Sequence, residues 1–479
     1  MMQWVLIFLT ILLFLPETVM SETQGSVFNE PQSEETSLTL ADAVFLGVRD
    51  NRTIKSAYID RVIQKFDLRV AEDQFTPQMN VSGEVARSRI GNAENTAFDV
   101  SPGVTLETRT GAVFNFIWNN QAELDEGSRT LTSALEVGAE QPLLRGAGSD
   151  VVTAPLRQAR LGEKVNQLRL KATIAETVGN IIFAHRDLLL AQEELALVQN
   201  AVSRAEDLLN INRTLIASGR MAAMDAVQTE ADLEAQKLRL LQVRQRREMA
   251  RIALLDLLNL ELGSNIAAIE APTPQKVDSS DIDNLLRIAL DKRQDYLGQL
   301  LVVQQSRLGV VIAENEQLWD ISLFGRGRLG REWVDDRSND NISDVTAGLR
   351  FSIPVNDLSR RQRLVQADTS QKSAELQLMN IRAGIEAQVR TSSSEVDLLW
   401  RQLTVAKRSH ELASQAIEIE KMKLNAGRST TFQVRLLEDS LRQSENQLLA
   451  ARIGYLNALT RLDLQLGTTL DTWQIVLSD

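Results

Sequence analysis

Two long tracts of this chain, 156–271 and 355–479, contain no proline, although nine prolines are scattered through the rest of its 479 residues. Proline inside a helix removes a hydrogen bond and clashes with the preceding turn, at a cost of about 3 kcal/mol. Tracts free of it and rich in Ala, Leu, Gln, Glu and Arg are therefore where long helices persist. Each tract is broken once by glycine, at Ser218-Gly219-Arg220 and at Ala426-Gly427-Arg428. Glycine just beyond a helical pattern is a C-terminal cap signal. The spacing predicts helices over 156–218 and 360–426, each roughly 95–100 Å long at about 1.5 Å per residue. No single globular domain is that wide. Leu161, Val165, Leu168, Ala172 and Ala175 step by four and three, as do Val434, Leu437, Leu441, Ser444 and Leu448. Such helices need coiled-coil partners along their length.

Between the tracts the apolar period shortens to two. In 343–353, Val345, Ala347, Leu349, Phe351 and Ile353 alternate with Asp344, Thr346, Gly348, Arg350 and Ser352. In 319–329, Trp319, Ile321 and Leu323 alternate with Asp320 and Ser322, and Arg326 and Arg328 share the polar face. In 130–141, Leu131, Leu135, Val137 and Ala139 oppose Thr130, Thr132, Glu136 and Glu140, and the run at 112–118 (AVFNFIW) is largely apolar. Residues 78–90 alternate more weakly. Aromatics gather here: Phe75, Phe98, Phe114, Phe116, Trp118, Trp319, Phe324, Trp333 and Phe351. Apolar on one face, charged on the other and edged by aromatics is the pattern of a water-filled membrane barrel. On this phase, charge at Leu349 or Phe351 should block membrane assembly and charge reversal at Arg350 should not.

The chain is also an internal repeat. Phe45–Arg52 can be laid on Arg287–Gln294, Ala71-Glu72 then meets Ala313-Glu314, and Pro142, Gly219 and Leu262-Gly263 match Pro354, Gly427 and Leu466-Gly467. The proline-to-glycine and glycine-to-glycine spacings each differ by four residues between the copies, about one helical turn, which preserves the buried face. One unit reads helix, β-hairpin, long helix, tip turn, returning helix.

At the ends, Trp4–Leu15 (WVLIFLTILLFL) is too short to span a bilayer, and with Pro16 and Val19-Met20-Ser21 it predicts a signal peptide over 1–21. Residues 22–36 read as a disordered leader. The first repeat is expected over 37–270 (β segment 77–141), a linker over 271–281, the second repeat over 282–467 (β segment 319–353), and a tail over 468–479. No later run is long and apolar enough for a membrane helix.

The junction Gln141-Pro142-Leu143-Leu144-Arg145-Gly146-Ala147-Gly148, its counterpart Ile353-Pro354-Val355, the run Ala289-Leu290-Asp291-Lys292-Arg293-Gln294-Asp295 and the paired tips resemble the TolC-type outer membrane efflux protein family across 37–467. The resemblance implies a mostly α protein with a β-barrel part: a trimer whose strands complete one outer-membrane barrel, continued by a periplasmic coiled-coil α-barrel. It implies a passive, porin-like channel exporting small molecules or secreted protein from a Gram-negative cell, with a periplasmic adaptor and an inner-membrane pump as partners. The family pattern is four strands per protomer. The first β segment is 30 residues longer than the second, and extra strands come in pairs, so four or six are expected, with the balance toward four and an extended hairpin. A protomer's few strands cannot close a barrel, and open edges are not tolerated in lipid, so closure by oligomerisation is expected independently.

No catalytic, cofactor or metal site is expected. The chain has no cysteine, which removes disulfides, thiolate ligands and cysteine nucleophiles. His410-Glu411 lacks the second histidine of a zinc-protease motif. His185 reads as a solvated or seam histidine, and Met221 and Met224 as packing residues. A net charge of −12 argues against nucleic acid. Function should concentrate at the tips. Asp225 matches an acidic position that lies near the periplasmic aperture in relatives, with Gln433 as its counterpart; Asp225 either pairs with Arg428 across neighbouring tips or only favours the start of its helix through the dipole. Gly219, Arg220, Gly427 and Arg428 are the expected adaptor contacts, and Pro142 and Pro354 the strand-to-helix junctions. The alternative from another class is a soluble periplasmic coiled-coil scaffold or adaptor.

Overall fold

The computed structural model describes residues 35–90, 93–125, 128–219, 223–269, 274–335 and 337–476. The expected signal peptide and most of the leader lie outside them. Two helices open the first repeat, α1 (Leu40–Asp50) and α2 (Arg52–Asp73), and two of the same lengths open the second, α6 (Ile282–Lys292) and α7 (Gln294–Asn315). The offset read from the sequence therefore holds residue for residue over both pairs. Asn51 explains the break between the first two: its side chain accepts hydrogen bonds from the N–H groups of Thr53 and Ile54, starting a new helix.

Four strands follow α2: β2 (Gln78–Ile90), β3 (Ala93–Glu107), β4 (Val113–Asp125) and β5 (Ser128–Pro142). A short α3 (Ser149–Val152) leads into α4 (Ala154–Ala217) and the returning α5 (Ala223–Leu258). In the second repeat, β7 (Asp320–Val334) and β8 (Arg337–Ser352) precede α8 (Leu358–Asn425), α9 (Thr431–Leu466) and a final turn, α10 (Thr469–Thr472). The two long helices fall within two residues of their expected starts. Two short strands, β1 (Thr36–Thr39) and β6 (Ile266–Ile269), pair in parallel. The last residue assigned to the leader, Thr36, is thus part of the fold.

The remaining six strands form one antiparallel sheet in the order β2-β3-β4-β5-β7-β8. The balance toward four strands was therefore wrong, and the first repeat carries two hairpins rather than one. The reason is local. Thr108 to Ala112 makes a tight turn at the helix-facing end, closed by hydrogen bonds between Thr108 and Ala112 and between Thr108 and Gly111. This sends β4 back along β3 in register from Glu107–Val113 to Thr96–Leu124. The turn docks on the strand-to-helix junction: the Gly148 N–H donates to the Thr110 carbonyl at 3.2 Å.

The core lies where the helical hairpins cross the small β1–β6 pair. Leu38, Ala43, Ile181, Leu188, Leu254, Leu258 and Ile266 form one buried cluster, and Ala289, Ile385, Val389, Tyr455 and Leu462 its second-repeat equivalent. His185 is fully buried there, its ring nitrogen 3.0 Å from the Leu38 carbonyl; it is a seam histidine, not a solvated one. The described part of the linker is held in place: the Tyr455 hydroxyl donates to the Gln275 carbonyl and accepts from the Val277 N–H.

Gly111 and Gly148 both have φ of +93°, but a Cβ on Gly111 would lie 2.2 Å from the Gly146 carbonyl oxygen whereas one on Gly148 meets nothing. Both alanine variants should lose about 1–3 kcal/mol from a positive-φ backbone that side-chain-bearing residues rarely adopt, and Gly111→Ala should lose more from the clash. Thermal melting of the detergent-solubilised protein checks this, and equal shifts in the two variants would contradict the docked turn.

Candidate functional site

The sheet has two chemically distinct faces. Met79, Val81, Val85, Phe98, Val100, Phe116, Trp118, Leu131, Leu135, Val137, Leu323, Leu329, Val345, Leu349 and Phe351 are all exposed in the isolated chain, and by strand alternation they share one face. The opposite face carries the charges. Arg326 pairs with Glu136 at 3.0 Å and Arg350 with Glu140 at 3.0 Å; Ser322 donates to Glu140 at 2.7 Å, and the Arg350 guanidinium lies over the Phe324 ring at 5.0 Å. The phase read from the sequence holds for β5, β7 and β8. One expectation needs correction: Arg350 has a carboxylate partner, so its reversal to Asp would place two carboxylates together. Arg350→Gln is the neutral control.

The junction residues tie the repeats to each other. Beyond Pro142, which ends β5, the Leu143 N–H donates to the Ile321 carbonyl, Arg145 pairs with Asp320, and the Gly146 N–H donates to Asn315 Oδ1. Pro354 stands in the matching connection from β8 to α8. Pro142 has no N–H to donate and sits where the ladder needs none, the pairing with β7 running on through Leu143 and then Arg145, whose N–H donates to the Trp319 carbonyl.

At the far end the tips are capped as expected. Gly427 has φ of +72°, with its N–H donating to Leu424 and the Arg428 N–H to Lys423, a Schellman cap. Gly219, φ +64°, closes the first tip through Ile216. Glu420 clamps the second tip, accepting from Ser429 at 2.5 Å and Lys423 at 3.0 Å. The Ser429 hydrogen bond, and after it Lys423, hold its carboxyl below the ordinary value of 4.5. That depressed value means the clamp is in force above about pH 4.5 and is lost as pH falls through it. Gln433 is exposed and follows the Thr430 cap, its side chain 3.2 Å from the Ser429 hydroxyl. Arg428 is exposed. Arg220 and the side chain of Asp225 lie outside the described residues, as does Met221; Met224 is exposed and does not pack within the protomer.

The contacts that join the two hairpins lie two turns above those positions. Arg435 on α9 pairs with Asp232 on α5 at 2.6 Å, seven residues beyond Arg428 and Asp225 respectively. Further up, Arg204 on α4 meets Glu445, and Glu193 on α4 meets Arg452. Nothing in the sequence separated Asp232 and Arg435 from other surface charges; only the relative placement of the hairpins pairs them.

Residues 285–468 match the family model described as outer membrane efflux protein. The chain has the fold of the outer membrane efflux proteins. Among solved structures it resembles the Campylobacter jejuni CmeC outer membrane channel, with a TM-score of 0.68, 16% identity and 94% of each chain covered. The outer membrane protein VceC of Vibrio cholerae gives 0.70 at 15% identity over 89% of this chain and 96% of that one. A membrane protein from Pseudomonas aeruginosa gives 0.70 at 16% identity over 89% and 93%. No curated protein matches the sequence. The matched segment of the family model covers the second repeat, and the first repeat with its additional hairpin lies outside it.

Leu349→Asp and Phe351→Asp should lower recovery from the outer-membrane fraction, since charge on a lipid-facing strand costs about 2–4 kcal/mol for Arg or Lys at mid-bilayer, somewhat less for Asp, and less again toward the interface, where β8 ends at Ser352. Arg350→Gln should be recovered at wild-type levels. Equal recovery of all three would mean that the apolar face does not meet lipid.

Proposed function

We propose that three copies of this chain form a passive outer membrane efflux channel, fed by an inner-membrane transporter through a periplasmic adaptor. The observation that carries this reading is the junction of a two-faced strand wall with helices of 64 and 68 residues. A wall apolar on one side and charged on the other separates lipid from water, and the helices extend the enclosed path by roughly 100 Å. The family-model match supports the efflux role. A soluble scaffold would leave the continuous apolar face of six strands in water, which monomeric soluble proteins avoid.

The duct needs a closed state, and the tips supply its contacts. Asp232–Arg435 fastens one helical hairpin to the other near the tip, and Asp225 with Arg428 of a neighbouring copy is a second latch at the very end. A solvent-accessible ion pair contributes about 0–1 kcal/mol, but threefold repetition around one axis makes such pairs act together. Gly219 and Gly427 present these turns to the adaptor.

Trimers that are heat-modifiable and confined to outer-membrane fractions are the expected finding; a freely soluble protein would refute the channel. In planar bilayers Asp232→Ala and Arg435→Ala should each raise single-channel conductance, with the double variant no higher than the larger single. Asp225→Ala and Arg428→Ala should do the same for the outer latch. Unchanged conductance in a pair removes that latch.

A further inference from the structure

Among the described residues the six-stranded sheet ends on two bare edges, β2 and β8, and the chain itself constrains how they meet. We propose that the β8 edge of one copy pairs with the β2 edge of the next, Ser352 opposite Gln78 and Asp340 opposite Ile90, so that three copies close a wall of eighteen strands. This rests on the channel reading above and adds the strand number and the register.

Direction comes first. β2 leaves the end of α2, and β8 returns toward α8, so neighbouring copies in a ring bring the two edges together antiparallel. Length comes second. β2 has thirteen residues, and the regular part of β8, from Ser352 back to the register shift opposite Glu332 and Trp333, is Asp340 to Ser352, also thirteen. Aligning the helix-proximal ends pairs every residue of one with every residue of the other.

Side-chain chemistry selects the same register. It sets Phe351 opposite Met79, Leu349 opposite Val81 and Val345 opposite Val85, all exposed apolar residues in the isolated chain. On the water side it sets Arg350 opposite Asn80 and Thr346 opposite Glu84. A one-residue slip would turn one edge inside out. A two-residue slip one way sets Val345, 86% exposed, against Arg87. The slip the other way leaves Phe351 without a partner.

Barrel closure provides a further constraint. Partners across the sheet run from Gln78 through Thr105, Asn115, Gly138 and Arg326 to Thr346. The proposed seam passes from Thr346 to Glu84, six residues further along β2. Three copies then accumulate a shear of about eighteen over eighteen strands, which with ~4.8 Å between strands and ~3.3 Å per residue tilts them by about 35°. That is within the range closed barrels adopt, and the wall is about 34 Å across between backbones. The slip that strands Phe351 would lower the tilt to about 25°, outside that range.

The helices that continue these edges agree. Ile59, Val62, Ile63, Phe66 and Val70 on α2 are exposed, as are Val365, Leu376 and Met379 on α8. An apolar stripe thus follows each bare strand edge into the helical part, as one continuous seam requires.

The chain has no cysteine, so thiol pairs report contacts without background. Leu349→Cys/Val81→Cys should form disulfide-linked dimers and trimers under mild oxidation, because β3, β4, β5 and β7 separate the two positions within one copy. The offset pair Leu349→Cys/Gly83→Cys should link at least tenfold less. On the added hairpin, Asp99→Cys should react with a membrane-impermeant thiol reagent and Phe98→Cys should be protected. Trimers that link only through the offset pair overturn the register. Trimers in which both hairpin cysteines react place β3 and β4 outside the wall and overturn the strand number. Absence of any trimer in the outer membrane overturns the channel reading itself.

Discussion

Main-chain hydrogen bonding across the sheet is the constraint on which this molecule depends. Within the described sheet β3, β4, β5 and β7 each find a partner on both sides, while β2 and β8 leave N–H and C=O groups unpaired along two outer edges. In hydrocarbon each such group costs several kcal/mol, so a sheet with free edges cannot remain there. A wall of these strands in lipid therefore needs the edges of one copy completed by another, which would carry the attached helices into the same ring. In the proposed channel oligomerisation is thus a requirement of the backbone, with side chains choosing only the register.

The helices answer a different requirement. A helix of 64 residues with polar residues around most of its surface has little reason to stay straight alone. In this chain α4 is backed by α5 along the lower part and by α2 and α7 near the sheet, while α8 receives α9 and α7 in the same way. Buried Ile174, Val178 and Ile182 on α4 cluster with Val44 of α1, Ile54 of α2 and Leu470 of α10, and Ile385, Val389 and Val396 on α8 cluster with Ala289 of α6 and Tyr455 of α9. Ion pairs such as Arg61–Glu163, nearly buried between α2 and α4, set the lateral position of a helix that apolar packing alone would let slide.

Much of this architecture is legible in the amino-acid sequence. Proline-free tracts, the two glycine breaks and the offset between Phe45 and Arg287 gave helix lengths, tips and the repeat because each depends on backbone rules that act locally. The alternation in β7 and β8 gave the faces because strand period does not depend on what the strand pairs with. The strand count was not legible. The turn at Thr108–Ala112 has no Asn-Gly or Asp-Gly pair, and its glycine is demanded by the approach of Gly146, a contact across the fold. Asp232 with Arg435 was hidden for the same reason: a pair between two hairpins leaves no spacing in the sequence. The acidic position at Asp225 drew attention through resemblance, while the observed fastening lies two turns away.

The turn between β3 and β4 rests on the junction where β5 becomes α4, and that junction is hydrogen-bonded in turn to the start of β7 and the end of α7. Strands and helices are therefore not two modules hinged at a linker. They share a joint in which three connections from both repeats interlock within a few residues. A region built that way opens cooperatively, since none of its pieces can leave while the others stay. Rotation of the helical hairpins at their distant ends would accordingly be absorbed along the helices and not in the sheet, leaving the strand wall stationary.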